Sequence, residues 1–270
     1  MLFPFRDFNP TNRIPVLTYA IVVINVVVLL VMSRQDLLGF TDTALHYGFV
    51  PARVAQLKHG QPVVIDLNKD PHVQQVIGHP VDKIALPPDR VQIAVTAFTH
   101  MFMHGGWFHL ISNMWFLIVF GNNIEDRLGH VAYLCFYFLG GLAAMLCHYL
   151  SDPGSTAPVI GASGAVAAVL GAYLVTFPTA RVRCLLFLLV FITIVDLPAY
   201  AVLGFWFVLQ LLEAWQTVGM PGVAAGVAWW AHVGGFVAGC LMMPLDALGA
   251  PPAGQSWKED EHWHDDEHKP

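Results

Sequence analysis

The stretch V-I-G-A-S-G-A-V-A-A-V-L-G-A-Y, residues 159–173, governs how the rest of the chain is interpreted. It sets Ser163 between glycines at the head of an apolar segment that is rich in small residues. A hydroxyl in that setting is typical of a packing residue where two membrane helices approach closely. A chemical role for Ser163 therefore depends on which other polar residues lie at its depth.

The composition is that of a membrane protein. Of the 270 residues, 56% are hydrophobic and 12% are charged, whereas soluble domains carry about 25% charged residues. The formal charge of -6 comes with no basic block, so no nucleic acid is expected as a partner. Four cysteines without a C-x-x-C pair favour neither a disulfide framework nor a thiolate metal site.

Apolar runs predict six transmembrane helices, since about 20 such residues cross the hydrocarbon core. The six runs are residues 14–32, 107–124, 131–150, 160–177, 199–215 and 223–245. A further apolar run, 184–195, has only 12 residues and is separated from the fifth helix by Asp196 and Pro198. We expect it to be a short embedded or interfacial lead-in, not a seventh span.

The expected fold is an all-α polytopic membrane protein with three parts. They are a cytoplasmic N-terminal tail (1–13), a six-helix membrane domain (14–250) and an acidic, disordered cytoplasmic tail (251–270). The membrane domain includes a long extracytoplasmic first loop (33–106). Within that loop, 51–58 is helical in pattern and 62–67 is strand-like, and we expect these short elements to rest on the outer membrane surface.

Arginine placement predicts the orientation, because short cytoplasmic loops collect Lys and Arg. With six spans, one side carries Arg6, Arg13, Arg127, Arg181 and Arg183. The opposing short loops, 151–159 and 216–222, contain no Lys or Arg, so both termini are predicted to be cytoplasmic. No organelle presequence precedes the first helix, which favours a bacterial plasma membrane over the alternative of a eukaryotic membrane.

Span counting brings three polar residues to one depth. His109, Ser163 and His232 all lie within about ten residues of the extracytoplasmic starts of helices two, four and six. A serine hydroxyl needs a base to become a nucleophile, and histidine is the usual one. Small residues at four-residue spacing, among them Gly235 and Gly239, allow helix six to approach helix four closely. No carboxylate lies at the same depth, so the sequence predicts a dyad and not a triad.

His109 and Asn113 share one helix face in H-L-I-S-N. An imidazole N–H and an amide N–H can stabilise the oxyanion of acyl transfer, with the backbone N–H of Ser163 made approachable by Gly161. The alternative is that His109 and Asn113 only hold helix two in place by interhelical hydrogen bonds.

Four ordered motifs resemble the rhomboid family of intramembrane serine proteases. They are H-G-G-W-F-H-L-I-S-N-M (104–114), G-N-N-I-E-D-R-L-G (121–129), G-A-S-G (161–164) and A-H-V-G-G-F-V-A-G (231–239). Many relatives also carry a Trp-Arg pair in the first loop, but no Trp occurs between residues 33 and 106 here.

The resemblance implies a role for each matching residue. Ser163 would be the nucleophile, His232 the general base, and His109 with Asn113 the oxyanion donors. Glu125 and Arg127 would form a structural ion pair. It further implies that no cofactor is needed and that the substrates are single-span membrane proteins in the lipid bilayer, entering past helix five.

Three other functions are weighed against proteolysis by Ser163. A rhomboid-like pseudoprotease would bind membrane clients, but such relatives typically lack the serine or histidine, and both are present here. A transporter would place its polar cluster near the midplane and show an inverted repeat. A metalloprotease is disfavoured because no H-E-x-x-H motif occurs.

Overall fold

The computed structural model describes residues 2–35, 37–69, 82–188, 191–218 and 227–244. The helices within these ranges are α1 (Val16–Met32), α2 (Leu37–Tyr47), α3 (Gln56–His59), α4 (Arg90–Thr99), α5 (Trp107–Leu128), α6 (His130–Ser151), α7 (Ser163–Thr176), α8 (Ala199–Gln216) and α9 (Trp229–Met242). The strands are β1 (Leu2–Asp7), β2 (Val63–Ile65), β3 (Ile84–Leu86), β4 (Arg181–Leu188) and β5 (Phe191–Pro198).

Helix α7 forms the centre of the bundle. Every residue from Gly164 to Tyr173 is buried, and α5, α6, α8 and α9 all contact this helix. Because α7 has no polar face, the small side chains of its sequence can only be buried by close helix neighbours. Its first residue, Ser163, therefore lies at the edge of the most enclosed element of the fold.

The outer helices carry apolar side chains on their exposed faces, as a bilayer requires. On α8 these include Phe205, Val208 and Leu212. Within the described residues, α6 is the helix that is by itself long and apolar enough to cross a membrane, while α1, α7 and α9 are apolar but shorter. The six predicted helical runs correspond to α1, α5, α6, α7, α8 and α9. Part of the sixth run and the whole tail 251–270 lie outside the described residues.

The first loop has its own small core. The prediction of a helical 51–58 and a strand within 62–67 is confirmed by a 3₁₀ turn at Pro51–Ala55, by α3 and by β2. β2 pairs with β3, and their buried side chains cluster with Leu45 and Val50. Helices α2 and α4 were not predicted.

A β-sheet joins the N-terminal segment to the connection between α7 and α8. β1 pairs with β4, and β4 pairs with β5, both antiparallel. The described part of residues 184–195 is therefore strand and not a seventh helix, and an all-α description does not cover this hairpin. The pairing of β1 with β4 joins segments distant in sequence, which is why the apolar run alone did not indicate the sheet.

Glu125 connects the end of α5 to the beginning of α1. Its carboxylate is 0% exposed and accepts hydrogen bonds from the N–H groups of Leu17 (2.9 Å) and Thr18 (2.8 Å) and from the Thr18 hydroxyl (2.7 Å). His130 Nδ1 lies 2.6 Å from the same carboxylate. Glu125 thus satisfies two of the orphan donors in the first turn of α1. The predicted ion pair with Arg127 stays a prediction.

Asp7, at the end of β1, is enclosed by two helices. Its Oδ2 accepts hydrogen bonds from Asn123 Nδ2 at 2.6 Å and Tyr173 Oη at 2.9 Å. Burial nevertheless raises the pKa of Asp7 from 3.8 to about 7, because loss of hydration outweighs these donors. A folded-state pKa above the unfolded value means that stability falls as the pH rises from about 4 to about 7.

Replacing Asp7 by Asn should remove this pH dependence. Asn keeps an oxygen acceptor for Tyr173 but carries no charge, so Asp7→Asn should exceed wild type in unfolding free energy by about 1–3 kcal/mol at pH 8. The difference should shrink as the pH falls toward 4. Chemical unfolding in detergent at both pH values measures it, with the exposed Asp42→Asn as control. An equal difference in unfolding free energy between Asp7→Asn and wild type at both pH values would contradict the raised pKa of Asp7.

Candidate functional site

The segment that leads into α7 is held by the first loop. Phe49 and Val159 exchange two backbone hydrogen bonds, of 3.0 and 2.8 Å. The Gly161 N–H donates to the His100 carbonyl at 2.9 Å. The first loop therefore fixes the backbone immediately before Ser163, a contribution that the sequence did not reveal.

Ser163 is the first residue of α7 and is half-buried. The first N–H groups of a helix have no intrahelical acceptor, and they lie at the positive end of the helix dipole. The backbone N–H of Ser163 is thus a donor beside its own hydroxyl.

His109 lies against the backbone of Gly161. Gly161 has a φ of +127°, in the region that favours glycine. A methyl group built on Gly161 would lie 2.8 Å from His109 Nε2 and 3.7 Å from Ser163 Oγ. His109 Nδ1 faces the Gly105 N–H at 3.4 Å. If Nδ1 accepts this bond, Nε2 carries the proton and is a donor on the side of Gly161.

His104 joins Asn113 to the segment before Ser163. Asn113 Nδ2 lies 3.1 Å from His104 Nε2, and the Ala162 N–H donates to the same nitrogen at 3.5 Å. His104 is 0% exposed, and its ring meets that of His109 edge-on with centroids 5.0 Å apart. Sequence analysis did not assign His104 a role, although it lies five residues before His109 in the first motif. The amide of Asn113 retains a second N–H.

A side chain of α8 holds the ring of His232 in place. Its Nδ1 lies 2.7 Å from Gln210 Oε1. The ring centroids of Trp206 and Trp229 lie 6.1 and 5.8 Å from that of His232. Sequence analysis missed this partner because only carboxylates were considered. The available signal was a glutamine inside a predominantly apolar helix.

Glycines bring α7 and α9 into backbone contact. A methyl group on Gly239 would overlap the Ala168 carbonyl, and one on Gly235 would overlap the Gly164 carbonyl. A methyl group on Gly164 would lie 3.8 Å from Ala231 Cβ. The turn of α9 that carries His232 therefore flanks the first turn of α7.

The structure thus gathers Gly161, His109 and Ser163 in direct proximity, with Asn113 linked through His104. His232 lies in the adjacent turn of α9, and in the described part of the chain no hydrogen bond joins it to Ser163. Glu125 lies at the opposite end of α5 from His109. Among the described residues, no group of three or more His, Cys, Asp or Glu side chains could hold a metal ion.

Comparison with known proteins identifies the family. A model of the Rhomboid domain matches residues 92–247, more than half of the chain. The chain therefore belongs to the rhomboid family and is a polytopic, predominantly helical integral membrane protein.

Similar curated proteins include ones from a plant, a fish and a yeast. RHOMBOID-like protein 6, mitochondrial, from Arabidopsis thaliana is 30% identical over 162 residues, covering 60% of this chain and 45% of that protein. Rhomboid protein 1, mitochondrial, from Saccharomyces cerevisiae is 28% identical over 160 residues, covering 58% and 43%. The chain thus spans less than half the length of these relatives.

Gly239→Ala should weaken the α7–α9 contact on which the site is built. The added methyl group would displace the Ala168 carbonyl, and overpacking of this kind costs about 1–3 kcal/mol. Gly204→Ala on α8 is the matched control, since nothing lies within 4 Å of its added methyl group. Unfolding in detergent should show a lower unfolding free energy for Gly239→Ala than for wild type, and no decrease for Gly204→Ala. Equal stability of the two variants would contradict the contact.

Proposed function

We propose that this protein is an intramembrane serine endopeptidase that hydrolyses peptide bonds in or near transmembrane helices of other membrane proteins. The observation that carries the proposal is the convergence on Ser163. Its hydroxyl lies next to Gly161 and the His109 ring, at the start of a helix against which α9 packs at the turn of His232. Membership of the rhomboid family supports the same chemistry.

In the first half of the reaction, Ser163 Oγ attacks the carbonyl carbon of the scissile peptide bond. Its proton passes to His232 Nε2, and the carbonyl oxygen becomes an oxyanion. The donors for that oxyanion are the Ser163 N–H, the His109 Nε2–H and the Asn113 amide, each worth about 10²–10³ in rate in related chemistry. The Gly161 N–H is already bonded to His100, so Gly161 contributes space and not a donor.

The tetrahedral intermediate then collapses. The C–N bond breaks, the leaving amine takes the proton from His232, and Ser163 is left acylated. Water attacks the ester while His232 accepts its proton, and release of the carboxylic acid returns the proton to Ser163. Every group required is a side chain or backbone amide of this chain, so the proposal includes no cofactor.

Ser163→Ala should abolish cleavage of a transmembrane substrate. Loss of a serine nucleophile costs about 10⁴-fold or more. Purified protein in detergent or liposomes would be assayed with a single-span substrate that carries helix-destabilising residues, and a fluorophosphonate probe should label wild type at Ser163. Ser151→Ala at the end of α6 is the matched control and should cleave normally.

Two outcomes would overturn the proposed activity. Equal cleavage by wild type and Ser163→Ala would exclude Ser163 as nucleophile. A wild type that binds membrane clients, but neither cleaves them nor reacts with the probe, would be a pseudoprotease.

The proposed topology has six spans with both termini in the cytoplasm. The pairing of β1 with β4 supports it, because the N-terminal segment and the α7–α8 connection then share one side of the membrane. The first loop and Ser163 would face the opposite side. The bacterial plasma membrane stays a prediction, since the relatives named above are mitochondrial proteins.

Reporter fusions test the topology directly. A reporter active only outside the cytoplasm should be active when inserted in the loop 151–159 and inactive in the α5–α6 connection near Arg127. The reverse pattern would invert the orientation.

A further inference from the structure

Gln210 is a buried polar side chain in the middle of an apolar helix. It is 9% exposed, whereas its neighbours Leu209 and Leu211 are 42% and 41% exposed. A primary amide without partners in hydrocarbon is costly, so a buried glutamine in a membrane helix calls for an explanation. The described partner of its Oε1 is Nδ1 of His232, at 2.7 Å.

Gln210 belongs to the face of α8 that contacts α9. Trp206, one turn earlier, contacts the same His232 ring, and Phe207 stacks on Phe236 with centroids 4.4 Å apart. Packing of Trp206 and Phe207, one turn earlier on α8, therefore helps to hold the amide of Gln210 at the His232 ring.

The amide oxygen determines which nitrogen of His232 carries the proton. An amide oxygen only accepts hydrogen bonds, so its partner Nδ1 must be protonated. In a neutral imidazole Nε2 then has a free lone pair, which is the form that can accept the Ser163 proton. The opposite tautomer would present an N–H to the hydroxyl and could not act as base.

The aromatic rings around His232 do not determine which of its two nitrogens carries the proton. Trp206 and Trp229 restrict the tilt of the imidazole, but apolar ring faces distinguish the two nitrogens only weakly. In the described part of the chain, Gln210 supplies the hydrogen bond that does so.

We infer that Gln210 is the positioning residue of the His232 base, taking the place that a carboxylate holds in a Ser-His-Asp triad. The inference rests on the proposed function and extends it from a dyad to a Ser163-His232-Gln210 relay of hydrogen bonds. The Gln210 amide exchanges no proton, so its contribution is orientation and choice of tautomer alone.

The test compares Gln210→Leu, which removes the acceptor at similar size, with Gln210→Glu, which keeps an acceptor oxygen at the same reach. Glu213→Leu, an exposed polar residue on the same helix, is the matched control. Cleavage kinetics give kcat and KM, and unfolding in detergent reports on stability. Spectra of ¹⁵N-labelled histidine rings, with His232→Asn to identify the signals of residue 232, report the tautomer without any substrate.

Gln210→Leu should lower kcat about 10- to 100-fold, less than loss of the base itself, while KM changes less than about twofold. Gln210→Glu should restore at least about a third of the wild-type kcat, and Glu213→Leu should match wild type. In the ring spectra, His232 should have a protonated Nδ1 in wild type and a mixture of tautomers in Gln210→Leu.

The outcomes separate this inference from the proposed activity. An unchanged His232 tautomer in Gln210→Leu overturns the positioning role, whether or not the protein cleaves substrate. Equal losses in Gln210→Leu and Gln210→Glu that follow unfolding stability also overturn it, because Gln210 would then only hold α8 in place. If the wild-type protein cleaves no substrate, the proposed protease activity is wrong. The positioning role of Gln210 is then tested by the ring spectra alone.

Discussion

The backbone contact between α7 and α9 is the constraint on which the rest of the molecule depends. Carbonyl oxygens of Gly164 and Ala168 lie where side chains of Gly235 and Gly239 would otherwise be, and the Phe236 carbonyl lies in the same way against Gly171. Lipid tails are as apolar as leucine, so helices in a bilayer are held by close packing and not by the hydrophobic effect. A methyl group at any of these positions would force the backbones of α7 and α9 apart.

The two ends of α5 perform different tasks around this contact. At the end near Glu125, a buried carboxylate ties α5 to the first turn of α1 and to His130. At the other end, His109 lies against Gly161, and Asn113 reaches the same segment through His104. A single helix therefore connects the anchored side of the bundle to the polar site, and His109 and Asn113 are placed by an element that is held at both ends.

Sequence reasoning located the helices of the bundle because apolar runs and their polar interruptions depend on the bilayer alone. It could not find the pairing of β1 with β4, since that sheet joins segments about 180 residues apart in sequence that have no periodic signal in common. It also missed Gln210, to which it assigned no role. A hydrogen bond between two helices depends on their rotation about their own axes, and that rotation is set by packing.

The position of the Gln210 amide on α8 links the chemistry to helix association. α8 exposes Phe205, Val208 and Trp215 on its outer face and meets α9 through Trp206, Phe207 and Gln210. A separation of the two helices by about 1 Å would stretch the 2.7 Å bond to His232 beyond a useful hydrogen bond. Under the proposed mechanism, the readiness of His232 to accept a proton would therefore depend on α8 staying packed against α9.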